Sequence, residues 1–241
     1  MTKSEIQFLE GPQNRWRDFK FSFKVLLEFI KGFRTLHFVG PCVTVFGSAR
    51  FKEGHVFYEQ ARELSGRIAQ MGFTIMTGGG PGIMEAANKG AREVGGKSVG
   101  CNIVLPHEQS HNPYLDRWVN IKYFFVRKTL LIKYSYAFIV MPGGFGTMDE
   151  YFEALTLIQT KKVHQFPIII MGKEFHQELI NYVETMKNYQ TISPNDSDLF
   201  LVTDSIDEAI AHLQKNSIVK FNLKFEKKRK RFKWLLEREG I

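Results

Sequence analysis

From residue 42 onward, short apolar runs alternate with longer stretches in which apolar residues recur at helical spacing. Residues 42–48 (CVTVFGS) form a β-branched run ending in glycine, which predicts a strand. Across 56–71, Val56, Phe57, Ala61, Leu64, Ile68 and Met71 follow a helical period, and Gly72 marks the stop. Residues 72–80 (GFTIMTGGG) predict a second strand that runs into glycines. Residues 81–96 (PGIMEAANKGAREVGG) then predict a helix with proline in its first turn and a double glycine at its end. A third strand is expected at 98–105 (SVGCNIVL), followed by a loop rich in turn formers, 106–118. The next stretch, VNIKYFF, fits neither period cleanly. Beyond it come a helix at 126–134, a fourth strand at 136–141 (YAFIVM), a helix to about Thr160 and a strand at 166–171 (FPIIIM). The series ends with a helix at 173–188, a strand at 199–204 (LFLVTD) and a short helix at 205–214.

Strands that are apolar throughout, each followed by a helix, point to a parallel sheet buried on both faces. With right-handed crossovers this gives an α/β protein, a Rossmann-like doubly wound sheet in a three-layer αβα sandwich. An extra N-terminal helix is expected over 15–39, with Trp16, Phe19, Phe23, Leu26, Leu27 and Ile30 near one face. Such a helix can lie on a membrane surface; the expectation is that it packs on its own domain or on a second subunit. The chain thus divides into an N-terminal helical extension (1–39), a Rossmann-like domain (40–218) and a basic C-terminal tail (219–241).

Composition narrows the picture further. Of the 241 residues 44% are hydrophobic, an ordinary globular share, and no run approaches the ~20 apolar residues of a membrane span. The first residues lack the apolar core and cleavage site of a secretory signal, so a cytoplasmic protein is expected. Cys42 and Cys101 lie beside predicted strands and read as buried free thiols. The net charge of +8 is concentrated in the N-terminal segment and in 224–233, KFEKKRKRFK, where seven basic residues accompany one acid. A solvated tail is the simpler reading; nucleic-acid binding would show as salt-sensitive affinity lost on truncation.

Three predicted strand ends carry glycines: VFGSAR (45–50), TGGGPGIM (77–84) and PGGFGT (142–147). In a doubly wound sheet, ligands bind beyond the carboxyl ends of the strands. There a glycine lets backbone N–H groups approach an anion, and a helix N-terminus adds a favourable dipole. One such turn can be tight packing alone, but three on one sheet edge favour a phosphate-bearing ligand. The dinucleotide fingerprint fails, since the sixth position from Gly78 is Ile83 and from Gly144 is Asp149. The triphosphate-binding loop fails too, because Ala91 stands where its first glycine belongs. Asp149 and Glu150 follow the third turn and would lie in the first turn of its helix. Thr147-x-x-Glu150 also reads as a capping box, a purely structural role. Arg127 and Lys128, just before the strand that delivers this turn, supply cations that could act with the acids around a phosphorylated sugar.

TGGGPGIMEAAN (77–88), the Arg127-Lys128 pair and PGGFGTMDE (142–150) together resemble the LONELY GUY family of phosphoribohydrolases, many of which once carried a lysine decarboxylase label. The resemblance covers about 40–215. It implies hydrolysis of the N-glycosidic bond of a nucleoside 5′-monophosphate, AMP or a cytokinin riboside 5′-monophosphate, releasing free base and ribose 5-phosphate. Glu150 and Arg127 match the catalytic pair. Gly143, Gly144, Phe145, Gly146 and Thr147 match the phosphate-binding turn, with Lys128 and Asp149 beside it. Gly79, Gly80, Gly82 and Met84 belong to the second glycine turn, and Glu108 matches a ligand-contacting glutamate. The sequence departs from the short plant-type pattern in the 81–85 turn, in Asp149, and in its N-terminal extension and basic tail, which suggests a longer bacterial subtype. A homodimer or larger homo-oligomer is implied. No lysine has the setting of a pyridoxal phosphate Schiff base. His107 and His111 read as an exposed loop pair, and neither a metal nor a cofactor is expected. The competing class is a carrier of the same fold that holds a nucleotide or molybdenum cofactor without turnover.

Overall fold

The computed structural model describes residues 9, 11, 14–105 and 111–219. Glu108, His107 and nearly all of the basic tail therefore lie outside the described residues. Seven strands make one sheet: β1 (Cys42–Phe46), β2 (Thr74–Thr77), β3 (Ser98–Ile103), β4 (Arg117–Ile121), β5 (Ser135–Val140), β6 (Ile168–Met171) and β7 (Phe200–Thr203). Their order is β4-β3-β2-β1-β5-β6-β7, and every pairing is parallel. The chain builds outward from β1 to β4 on one side, then returns to place β5 on the other. This is the doubly wound plan, with its switch point between β1 and β5.

Alternate residues of each inner strand feed opposite layers, which is why those strands are apolar throughout. Cys42, Phe46, Phe138, Val140, Ile168 and Ile170 enter one core. Val43, Val45, Ala137, Ile139, Ile169 and Met171 enter the other. The first core is covered by α1 (Arg15–Leu36), α4 (Phe124–Tyr134), α5 (Phe145–Gln159) and Leu179 of α6 (Gln177–Asn188). The second is covered by α2 (Val56–Gln70), α3 (Ile83–Glu93) and α7 (Ile206–Leu213). Both cysteines are free and buried, and burial pushes the Cys101 thiol up to about 12.

Three departures from the sequence expectations bear on the site. The ambiguous stretch opens with β4, an edge strand whose Val119 and Ile121 point inward while Trp118 and Asn120 point out. The helix after it begins at Phe124, two residues before the expected start. And α1 buries a different face from the one predicted. Phe21, Val25 and Phe29 pack on the core, whereas Trp16, Phe19, Phe23, Leu26, Leu27 and Ile30 are exposed. Two polar ties fix α1 to the sheet edge: Lys31 Nζ donates to the Asn120 carbonyl, and Glu28 accepts the Lys122 N–H.

Candidate functional site

At the carboxyl ends of the strands lies a cavity of about 1070 Å³. The turns after β1, β2 and β5 all contribute to it, together with β3, β4 and the start of α4. Nine of the predicted site residues line it: Gly80, Met84, Arg127, Gly143, Gly144, Phe145, Gly146, Thr147 and Glu150.

The turn after β5 is open towards this space. Gly143 is needed for packing, because a Cβ there would collide with the Thr147 side chain. At Gly144 and Gly146 a Cβ would meet nothing within 4 Å. Gly144 caps α5 without any side-chain hydrogen bond, and its carbonyl accepts the N–H groups of Thr147 and Met148. The remaining first-turn amides, those of Phe145 and Gly146, precede the reach of the helix ladder. A helix start that leaves its donors open and carries no Cβ in front of them suits an anion.

The acids sit one turn further along than expected. Because α5 begins at Phe145, its first turn contains no acid, and Thr147 forms no capping box with Glu150. Successive helical residues also diverge, so the two acids part company. Asp149 faces outward and pairs with Lys128 at 3.0 Å; Lys128 also reaches Glu153 at 2.7 Å. Neither Lys128 nor Asp149 is among the residues that line the cavity. Glu150 turns inward and is 4% exposed, with Oε2 buried and lacking a hydrogen-bond partner among the described residues. Burial pushes its carboxyl up to about 7, against the opposing pull of the Arg127 guanidinium. Desolvation outweighs that cation.

Arg127 donates Nε–H to the Cys101 carbonyl at 3.0 Å, which fixes the guanidinium over the carboxyl end of β3. Gly78 makes room for it, since a Cβ there would lie 2.5 Å from an Arg127 terminal nitrogen and 2.7 Å from Met84 Sδ.

The turn after β2 is braced from within. The N–H of Gly79 donates to Thr77 Oγ1, and its carbonyl accepts from the Asn112 N–H. The first amide of α3, Ile83, donates to the Ser48 carbonyl. Asn112 is buried and bonds the Gly80 carbonyl and Asn88; Asn88 continues to Thr77 and Ser98. Gly79 and Gly82 thus serve the fold and stand off the cavity.

The sequence reading missed several wall residues, among them Arg50, Asn102, Asn120, Phe124 and Phe175. Asn102 Nδ2 donates to Asn120 Oδ1 across β3 and β4. His111, expected in an exposed pair, is exposed, stacks on Trp118 and borders the cavity. A glycine-ended β1 was the one available signal for Arg50. The asparagines come from strands whose pairing had to be seen first.

Fold and cavity define the class, a doubly wound α/β protein with a solvent-open site at the switch point of its sheet. The family described as "Possible lysine decarboxylase" matches residues 84–213, more than half of the chain. The chain belongs to that family, the LONELY GUY family whose motifs it carries. It is similar to a protein named cytokinin riboside 5′-monophosphate phosphoribohydrolase from Rhodococcoides fascians, 29% identical over 71% of this chain and 88% of the relative. A protein of the same name from Mycobacterium tuberculosis is 31% identical over 63% of this chain and 82% of its own length. Among solved structures, a molybdenum cofactor carrier protein from Chlamydomonas reinhardtii aligns with a TM-score of 0.54. It is 24% identical over 75% of this chain and 99% of that one, a likeness of fold alone.

Proposed function

We propose that this protein is a nucleoside 5′-monophosphate phosphoribohydrolase acting on AMP or a cytokinin riboside 5′-monophosphate. The observation that carries the reading is Glu150: a buried carboxyl on the wall of a cavity, one oxygen without a hydrogen-bond partner among the described residues, one helical turn beyond an open helix start. The names of the curated relatives support the same reaction.

In this reading the 5′-phosphate sits at Gly143–Thr147, and its binding energy positions the ribose. Breaking the bond from C1′ to the base leaves positive charge on the sugar, as in glycoside hydrolysis. Glu150 as carboxylate faces that charge and accepts a proton from the attacking water, whose oxygen bonds C1′. The electron pair of the broken bond leaves on the base nitrogen, which takes a proton from solvent. A carboxyl held near 7 is well matched to proton transfer at neutral pH. Arg127 holds the carboxylate form within reach, because its cation opposes the desolvation of Glu150. Lysine decarboxylation finds no support in the cavity lining, which includes no lysine among the described residues.

The test is hydrolysis of AMP, adenosine and isopentenyladenosine 5′-monophosphate, read as free base by chromatography. Wild type should release base from the nucleotides far faster than from adenosine. Glu150→Gln should lower kcat by about 10²–10⁴-fold. Equal base release by variant and wild type would remove Glu150 from the reaction. Nucleotide binding without turnover in wild type would instead favour a carrier.

A further inference from the structure

The resemblance implies a place for Lys128 beside the phosphate turn, but its side chain runs from α4 to α5 instead. Its ammonium lies 3.0 Å from Asp149 Oδ1 and 2.7 Å from Glu153 Oε2. The two carboxylates stand one helical repeat apart, on one face of α5. Arg127 precedes Lys128 on α4, Glu150 follows Asp149 on α5, and consecutive helical residues diverge. Each helix therefore sends one residue to the cavity wall and an adjacent one to the gap between the helices. Lys128, Asp149 and Glu153 are not among the residues that line the cavity. The Lys128 side chain is 18% exposed. Burial works against its charge, yet the two carboxylates outweigh burial and hold the ammonium above the usual lysine range.

We propose that Lys128 is a positioning residue: by bridging Asp149 and Glu153 it latches α4 to α5 and so holds Arg127 and Glu150 on one wall of the cavity. The inference rests on the proposed function, in which that pair works on the ribose. Burial is the first argument. A solvent-exposed ion pair contributes little, but where the pair is largely buried, removing one partner leaves charge uncompensated. Without Lys128, Asp149 and Glu153 would face each other on one side of α5, with Glu150 on the same turn. Their repulsion would push the start of α5 away from α4 and part Glu150 from Arg127. Charge is the second argument. Around Glu150 stand Arg127 and Lys128 from α4, Asp149 and Glu153 on its own helix, and the Cys101 thiol of β3, which burial keeps protonated. After burial and Arg127, the groups that set the Glu150 carboxyl are Glu153 and Asp149, which raise it, and Lys128, which lowers it. Members of the latch thus act on Glu150 with opposite signs. Loss of Lys128 should move its titration to higher pH, and loss of the Glu153 charge should move it to lower pH.

The experiment compares wild type, Lys128→Met, Lys128→Arg and Glu153→Gln as full chains. Hydrolysis of AMP is followed across pH. Separately, the Glu150 carboxyl is titrated by NMR of the carboxyl carbons, with Glu150→Gln to assign its signal. Lys128→Met should lower kcat about 10–100-fold, leave the KM for AMP within about threefold and raise the Glu150 titration. Lys128→Arg should keep most of the activity, and Glu153→Gln should lower the titration. Wild-type kcat and titration in Lys128→Met would overturn the proposal. So would a loss confined to KM, which would put the ammonium on the phosphate. If Lys128→Met does not fold, Glu153→Gln decides, and an unchanged Glu150 titration there overturns the latch. A wild type that releases no base from any nucleotide would sink the proposed function alone, because the titrations of the variants still decide the latch.

Discussion

The two glycine turns at the carboxyl edge of the sheet look alike in sequence and do opposite jobs. The turn after β2 is braced on its own chain: the Gly79 and Ile83 amides donate to Thr77 and to the Ser48 carbonyl, and the Gly79 and Gly80 carbonyls accept from Asn112. The turn after β5 leaves its helix start open and sets, one turn beyond it, a buried carboxyl whose Oε2 has no hydrogen-bond partner among the described residues. Glycine in the first is a packing and conformational requirement; at Gly144 and Gly146 a Cβ would meet open space. The difference teaches that a glycine-rich strand end becomes an anion site only where nothing in the fold takes its donors.

After loss of the Glu150 carboxyl itself, the largest effect should come from removing the Arg127 guanidinium on the cavity wall. Arg127→Ala is expected to lower kcat/KM by about 10²–10³-fold. In wild type, activity should rise with pH through about 7 as Glu150 ionises. Loss of the guanidinium, which holds that carboxyl down, should move this limb to higher pH. A pH–rate profile of both proteins checks the sign.

Gly82→Ala tests the braced turn. Gly82 has φ +69°, and a Cβ there would press on Ser48 and Ala49 backbone atoms. The variant should lose about 2–4 kcal/mol of stability by denaturant titration.

Next in size is a pH-dependent difference between wild type and Glu150→Gln. The folded carboxyl sits near 7 against an ordinary 4.5, so the native state holds a proton that the unfolded chain gives up. That contribution is full below about 4.5 and disappears as pH rises through about 7. Wild type should therefore lose on the order of 2–3 kcal/mol relative to the glutamine variant between acidic and alkaline pH, as paired unfolding curves would record.

The smallest effect is the mirror of Gly82→Ala. Gly144→Ala should leave Tm unchanged, because its Cβ meets no protein atom, yet weaken nucleotide binding about tenfold by entering the cradle. If Gly144→Ala destabilises while Gly82→Ala does not, the contrast between the turns is reversed.

The inner strands were legible because burial on both faces makes an unbroken apolar run. β4 was not, because an edge strand alternates, and Trp118 and Asn120 interrupt the pattern. Glu150 and Arg127 stand out in the sequence through their motifs, and both line the cavity; their neighbours do not. Asp149 and Lys128 are adjacent in sequence to the site residues and point elsewhere, since consecutive helical positions cannot share a face. The brace of Thr77, Asn88, Ser98 and Asn112 draws on four segments and leaves no local signature. On α1 both sides are apolar, so periodicity could not say which one the domain would bury.

The most direct measurement is a crystal structure of Glu150→Gln soaked with AMP. The phosphate oxygens should lie about 2.7–3.2 Å from backbone nitrogens at the start of α5, with the residue 150 side chain against C1′ of the ribose. A phosphate lodged at residues 78–82, or a side chain at 150 turned away from the sugar, would contradict the account.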